Sequence, residues 1–364
     1  MKYTIKQVPE DFEVEEVIKI KPKQQGDYTY FWLAKKNWTT VRAIRAVAQA
    51  CNTSFKRFRW AGNKDKNAVT RQVVSVFKIE PEFLEKIKIK DIEIKAIGKS
   101  DEQLFLGDLE GNKFTIVVRN LDEKDFKKIK QKQKAISKFG FPNYFWEQRF
   151  GRGNTALIGE AIINGDLEKA AKLVLCYVSK EESAEAQEAR NFCQENWNKW
   201  SEILKKYPRH LDIELAVLNW LVKNPSDFGG ALRKIKKTIR MLYVHAYQSW
   251  LFNKKLSELL EKNCETSEID FFGGNLVIPK YAKKDETFFK KILEKKSELE
   301  PIEVQRMPEL SMLGSERDLF VKPAKFKLDK LEPDELNKGK YKLKIKFELS
   351  KGSYATALLD VLFV

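Results

Sequence analysis

Histidine and cysteine are scarce in this sequence. Of 364 residues only two are histidine and four are cysteine. His210 and His245 are far apart with no HExxH pattern, so a zinc-hydrolase signature is missing; His245 reads as a structural residue on a patterned helix. Cys51, Cys176, Cys193 and Cys264 form no CxxC pair and fit no zinc spacing. Scattered single cysteines suit a reducing cytosol, where each is a small buried residue. There is no GxSxG and no Cys–His couple for acyl transfer. Residues 107–113 resemble a phosphate loop only loosely, because no GK[ST] is present. Gly151-Arg152-Gly153-Asn154-Thr155-Ala156 imitates a dinucleotide fingerprint, but it follows Glu147-Gln148-Arg149-Phe150 rather than an apolar strand, and helices come next. No apolar run approaches the roughly 20 residues of a membrane span. Met1-Lys2-Tyr3-Thr4-Ile5 lacks the apolar core of a signal peptide. No internal repeat or low-complexity linker is visible. These absences lead to an expectation: a soluble, cytoplasmic protein without membrane association that uses no metal and no cofactor.

What the sequence does have is positive charge. Lys and Arg number 68 against 52 Asp and Glu, a formal net charge of +16. A balance of that size points to a polyanionic partner, most simply a nucleic acid. The chain is 43% hydrophobic and 12% aromatic, enough to bury a core, and long enough for two domains.

Strand-like alternation marks residues 12–18 and 28–33, with Pro22 and Gly26 turning between them. Thr39 or Thr40 caps a helix carrying Val41, Ile44, Val47 and Ala48 on one face. Strands are expected over 73–77, 92–98 and 113–119. A helix is expected from about 122 to 139, with Phe126, Ile129, Ile136 and Phe139 inward, a row of lysines outward and Gly140 as its stop. After Gly153 the pattern becomes helical, over 166–178, 181–206, 212–223 and a long helix near 231–262. Residues 271–278 read as a strand around Gly273-Gly274, and 280–301 as a charged peripheral helix. The end returns to β over 319–328 and 341–349, the latter with Leu343, Ile345, Phe347 and Leu349 on one side and Lys342, Lys344, Lys346 and Glu348 on the other. A final helix begins at Gly352-Ser353. A β-rich start, a helical middle and a β-rich end suggest an α/β core interrupted by an inserted module.

Two stretches carry chemistry. In the first, Asp65 lies between Lys64 and Lys66 in a polar loop, before a buried strand. Neighbouring cations favour the charged carboxylate. A carboxylate in a basic setting repels phosphates, so it is a poor choice for a surface that only binds RNA and a sensible one for a nucleophile or base. A turn with solvated charges is the plainer reading of Lys-Asp-Lys. In the second, Phe141-Pro142-Asn143-Tyr144-Phe145-Trp146-Glu147-Gln148-Arg149-Phe150-Gly151 combines aromatics with an amide and an arginine. Aromatic faces stack on unpaired bases and Asn hydrogen-bonds base edges. An aromatic core strand explains the same pattern without RNA.

Five stretches, in order along nearly the whole chain, resemble the TruD family of pseudouridine synthases. They are Pro9-Glu10-Asp11-Phe12-Glu13-Val14-Glu15-Glu16, Ala61-Gly62-Asn63-Lys64-Asp65-Lys66-Asn67-Ala68-Val69-Thr70-Arg71-Gln72, Pro142-Asn143-Tyr144-Phe145-Trp146-Glu147-Gln148-Arg149-Phe150-Gly151, Ala246-Tyr247-Gln248-Ser249-Trp250-Leu251-Phe252-Asn253, and Phe347-Glu348-Leu349-Ser350-Lys351-Gly352-Ser353-Tyr354-Ala355-Thr356. The resemblance implies an α+β pseudouridine-synthase fold: a mixed, largely antiparallel sheet flanked by helices and interrupted by a mainly helical TRUD-type module. It implies a discontinuous catalytic domain of residues 1–153 and 310–364 and an inserted domain of 154–309, with the helix near 231–262 a candidate to pack on the catalytic part. It implies a tRNA substrate with the uridine at position 13 as usual target, no metal, no cofactor, no obligate protein partner and a monomer.

By motif match Asp65 takes the catalytic place, and Phe12, Asn143, Phe145 and Tyr354 fall where the family contacts the target nucleotide. Glu16, Lys64, Arg149 and Lys351 are supporting or RNA-contact candidates. Three positions depart from the pattern: Trp146 where glycine is common, Asn63 where a longer polar residue is usual, and Asp360 where arginine is frequent.

Pseudouridine formation breaks N1–C1′ and joins C5 to C1′, with no redox step. Asp65 is suited to attack C1′ as a carboxylate nucleophile or to remove the C2′ proton, and the sequence leaves both open. The uridine must first leave its stack. The competing class is a non-catalytic RNA-binding or RNA-remodelling protein on the same fold, which has no need of Asp65.

Overall fold

The alternation over 341–349 becomes the strand Tyr341–Ser350, with Leu343, Ile345, Phe347 and Leu349 buried and the lysines between them turned outward. The structure is a computed structural model, described here for residues 3–179, 182–272 and 274–364. It divides into two compact units, Met1–Phe141 with Val321–Val364, and Pro142–Phe320.

The first unit is built on one eight-stranded sheet. Its strands are β1 (Phe12–Val17), β2 (Tyr28–Lys36), β3 (Phe58–Trp60), β4 (Val69–Phe77), β5 (Ile92–Ser100), β6 (Gly111–Leu121), β7 (Ala324–Pro333) and β8 (Tyr341–Ser350). They lie in the order β7-β8-β6-β1-β4-β2-β5, with β3 paired to β4. Only the β1–β4 pair is parallel. The sheet is therefore mixed and largely antiparallel, as expected. The helix Thr40–Ala50, capped by the Thr39 hydroxyl, lays Ala43, Ile44 and Val47 on Phe31 and Leu33 of β2 and Val74 and Val76 of β4. The helix Phe126–Phe139 buries Ile129, Ile136 and Phe139 and leaves Lys127, Lys130, Lys134 and Lys138 exposed. It stops at Gly140, whose φ of 74° few other residues tolerate. Its Lys128 and Lys132 ammonium groups donate to the carbonyls of Val364 and Val361, so the last helix, Ala355–Phe363, lies beside it.

The second unit is mainly helical. Ile158, Ile162, Val174, Leu218, Leu221 and Val244 form part of its core. The helices Thr155–Ile163 and Lys237–Asn263 approach so closely that a Cβ on Gly159 would meet the Tyr243 carbonyl oxygen at 2.0 Å. Expected helices over 166–178 and 212–223 appear as Leu167–Cys176 and Asp212–Lys223.

Five expectations need correction. Residues 181–206 hold two helices, Ala184–Glu195 and Trp200–Lys206, parted where Asn198 takes φ 76°. The long helix near 231–262 begins only at Lys237. A short helix, Phe228–Arg233, precedes it, and Lys236 between them is extended at φ −50°, ψ 136°. The strand over 271–278 is instead a hairpin of Thr266–Phe271 and Gly274–Pro279, the chain turning after Phe271; Gly273 lies outside the described residues. The charged segment 280–301 contains a single short α-helix, Glu286–Ile292, and a strand, Lys296–Leu299, paired with Ser315–Asp318. The final helix starts at Ala355 rather than at Gly352-Ser353, with Tyr354 as its N-cap residue.

Candidate active site

Strand β4 has two different partners along one edge. Residues 69–71 pair with β1 and residues 74–76 pair with β3. The chain leaves the sheet after Trp60 and returns at Val69, so the polar segment 61–68 rises between these two pairings. Val73 falls in the gap between them, and its backbone N–H donates to Oε2 of Glu16 at 3.0 Å. A buried main-chain donor must find a partner, and Glu16 on β1 supplies it.

Asp65 occupies this loop with its side chain 34% exposed. Oδ2 accepts from Lys6 Nζ at 2.7 Å, and the same ammonium lies 4.2 Å from the centroid of the Phe12 ring. Lys6 joins the carboxylate to the aromatic face by one charge-assisted hydrogen bond and one cation–π contact. Its left-handed backbone, φ 57°, belongs to an N-terminal segment tied down on both sides. Thr4 exchanges two backbone hydrogen bonds with Arg119 of β6, and the Arg119 guanidinium donates to both carboxylate oxygens of Asp11 at 2.9 Å. Asp11 in turn accepts from Val8 N. Arg119 also donates to Asp334 and Glu335. Phe12 is buried on β1, edge-on to Phe114.

The loop is held from beneath. Gln72 Nε2 donates to the Gly62 carbonyl at 2.9 Å, and the Thr40 hydroxyl donates to Gln72 Oε1 while accepting from Lys64 N. Lys35 donates to the Asp65 carbonyl. Lys64, expected to orient Asp65 or to hold a phosphate, instead turns inward: its ammonium pairs with Glu16 Oε1 at 2.8 Å, and the side chains are 5% and 0% exposed. Asn63 accepts from Trp60 Nε1 at 3.0 Å. Lys351 is exposed and donates to the Gly107 carbonyl, while Gly107 N donates to Ala61, the first residue of the loop. Tyr354, half-buried, stands three residues beyond Lys351 at the head of the last helix. Asp360 accepts from the Tyr3 hydroxyl at 2.5 Å.

In the second unit, Asn143 is 5% exposed. Its backbone N–H donates to Leu319 and its Nδ2 to the Asp318 carbonyl. Arg317 grips it twice, Nε to the Asn143 carbonyl at 2.9 Å and a terminal nitrogen to Oδ1 at 2.8 Å. That guanidinium stacks 3.8 Å from the Phe145 ring centroid. Asn253 clamps the Phe145 main chain from both sides, accepting from its N–H and donating to its carbonyl. Arg149 Nε donates to Ser249 Oγ. Trp146 is in the core against Phe271, so the bulky residue at this position fills the interior. Tyr144, Phe145 and Trp146 are all buried.

Lys6, Lys35, Thr40, Gln72, Arg317 and Asn253 were not singled out from sequence. Lys6 gave no signal, since its partner is 59 residues away. Lys35 did give one: it stands in register with the buried Phe31 and Leu33 of β2, a charged residue at an inward position. Gln72 and Asn253 belong to the quoted stretches, but nothing in the pattern specifies their partners.

Among the described residues no group of three or more His, Cys, Asp or Glu is placed to hold a metal ion. Nor is any helix there long and apolar enough to cross a membrane.

Comparison with known proteins agrees with this architecture. The family model described as tRNA pseudouridine synthase D (TruD) matches residues 1–288 and 269–361. A relative from Methanosarcina barkeri named "Probable tRNA pseudouridine synthase D" is 34% identical over 405 residues, covering 98% of this chain and 92% of the relative. The tRNA pseudouridine synthase D of Aquifex aeolicus is 31% identical over 394 residues, covering 100% and 98%. The crystal structure of a TruD protein from Methanosarcina mazei superposes with a TM-score of 0.78 at 31% identity, over 99% of this chain and 93% of that one. With the family model spanning nearly the whole length, the chain belongs to the TruD family of tRNA pseudouridine synthases.

Proposed function

We propose that Asp65 is the essential carboxylate of this tRNA pseudouridine synthase, and that the uridine at position 13 of tRNA is its target. The enzyme is an isomerase of RNA: N1–C1′ breaks, the uracil turns, C5–C1′ forms, C5 gives up its proton and N1 gains one. Two routes are open to the carboxylate, attack on C1′ or removal of the C2′ proton. The observation that carries the reading is the Lys6–Asp65 pair. A partly exposed carboxylate, held at 2.7 Å by an ammonium that also covers an aromatic face, has a fixed direction and stays open to solvent.

By the motif match the reading assigns Phe12, Asn143, Phe145 and Tyr354 to the target nucleotide, by stacking and hydrogen bonding once it has left its stack. Glu16 and Lys64 support the loop, and Arg149 and Lys351 contact RNA. Residues 154–309 are taken as the family's inserted module, and the enzyme as a cytoplasmic monomer with no obligate partner protein. The test is incubation with tRNA lacking pseudouridine, followed by mapping of the new pseudouridines. A product at position 13 with the wild-type chain and none with Asp65→Asn supports the reading. A product made equally by both contradicts it.

A further inference from the structure

Phe31, Leu33 and Lys35 point the same way from β2, into the core beneath the helix Thr40–Ala50. Phe31 and Leu33 are fully buried, and Lys35 is 2% exposed. Burying an ammonium costs free energy unless its three donors are met. Lys35 Nζ meets three main-chain carbonyls: Trp38 at 2.6 Å, Asp65 at 2.7 Å and Lys64 at 3.5 Å. Its hydrogen bonds therefore tie two pieces of backbone together, the approach to the helix and the peptide of Asp65 itself. The carboxylate of Asp65 reaches the other way, to Lys6.

We propose that Lys35 is a positioning residue for pseudouridine formation, pinning the main chain of Asp65 so that its carboxylate stands where the reaction needs it. The inference rests on the assignment of Asp65 above. Displacement of a reacting group by about 1 Å costs on the order of 100-fold in rate, and the pin acts at the residue that carries the group. Thr40 and Gln72 hold the neighbouring carbonyl and N–H groups of the loop, but among the described residues only Lys35 bonds the Asp65 peptide oxygen.

The pin depends on charge. An ammonium offers three N–H donors to three oxygens. A neutral amine offers two, with a lone pair facing a carbonyl. Burial pulls the Lys35 pKa down to about 8; the Asp65 carboxylate opposes this and the Lys64 ammonium adds to it. Both act on it through space, since the Asp65 carboxylate is bonded to Lys6 and the Lys64 ammonium to Glu16. The protonated pin is present below that value and is lost as pH rises through it. An arginine at this position keeps its charge throughout.

The experiment compares the full-length wild type with Lys35→Met, Lys35→Arg and Asp65→Asn on a tRNA transcript, measuring kcat and KM from neutral to alkaline pH. Circular dichroism checks folding, and hydrogen exchange reports on residues 61–68. For Lys35→Met the expected result is a fall in kcat on the order of 100-fold, an unchanged KM and faster exchange confined to the loop. For Lys35→Arg the expected result is partial recovery of kcat and disappearance of the alkaline fall seen in the wild type. If Lys35→Met does not fold, the alkaline limb of Lys35→Arg decides: a limb identical to the wild type's overturns the inference. It is equally overturned if Lys35→Met turns over like the wild type while Asp65→Asn is inert, an outcome that leaves the assignment of Asp65 standing. Turnover by Asp65→Asn would instead overturn that assignment and the inference with it.

Discussion

Lys64 Nζ lies 2.8 Å from Glu16 Oε1, and neither side chain is open to solvent. The lysine next in sequence to the proposed catalytic aspartate therefore spends its charge inside the protein. Lys64 turns in to Glu16, while Asp65 beside it is partly exposed and reaches Lys6. Glu16 does two things at once, neutralising Lys64 and capturing the Val73 N–H in the gap between two strand pairings.

Glu16→Gln keeps the shape and leaves the lysine uncompensated. Removing one partner of a buried pair costs about 3–5 kcal/mol, so denaturant unfolding should show a loss of that order. Adding Lys64→Met removes the stranded charge and should restore much of the stability. A double variant no more stable than Glu16→Gln would mean that the pair is not coupled.

How much of this was legible in the sequence depended on whether the signal was local. The alternation over 341–349 specified its own inward face, and Leu343, Ile345, Phe347 and Leu349 are buried. The helix stop at Gly140 was legible for the same reason, since a single residue requires the left-handed turn. The helix breaks at Asn198 and Lys236 were not, because the periodicity on either side runs through them and tertiary packing decides where the chain turns. At the candidate site Asp65 stood out by its charge context. Its partner Lys6 could not be read, because a buttress of backbone hydrogen bonds and ion pairs from β6 brings it there. The inward turn of Lys64 was not legible, because its partner Glu16 lies 48 residues away.

Tyr354 makes no side-chain cap hydrogen bond to the helix that follows it. Removing its ring should therefore leave the helix intact. If the ring stacks on the extruded base, Tyr354→Phe keeps most activity and Tyr354→Ala loses about 1–3 kcal/mol of transition-state stabilisation, the usual worth of base–aromatic stacking. The loss is read in single-turnover rates, with a melting temperature near wild type. An unchanged rate, or a protein that no longer folds, would remove Tyr354 from the site.

Binding of tRNA to a chain of net charge +16 should release counterions, so log affinity should fall linearly with log salt. Lys351, exposed with its ammonium on the Gly107 carbonyl, is assigned a phosphate contact. Lys351→Ala should then reduce the steepness of that line by about one. An unaltered slope would show that this lysine touches no phosphate, and a flat titration of the wild type would contradict the electrostatic account as a whole.

The central claim is that the Asp65 carboxylate does the chemistry. Asp65→Asn keeps the size of the side chain and removes its charge. The decisive measurement is the number of pseudouridines formed per tRNA by this variant under single-turnover conditions, beside its affinity for the same tRNA. The account predicts no detectable pseudouridine and an affinity equal to or slightly above wild type, because a negative charge has left a phosphate-rich interface. Pseudouridine formed at a rate near wild type would contradict it.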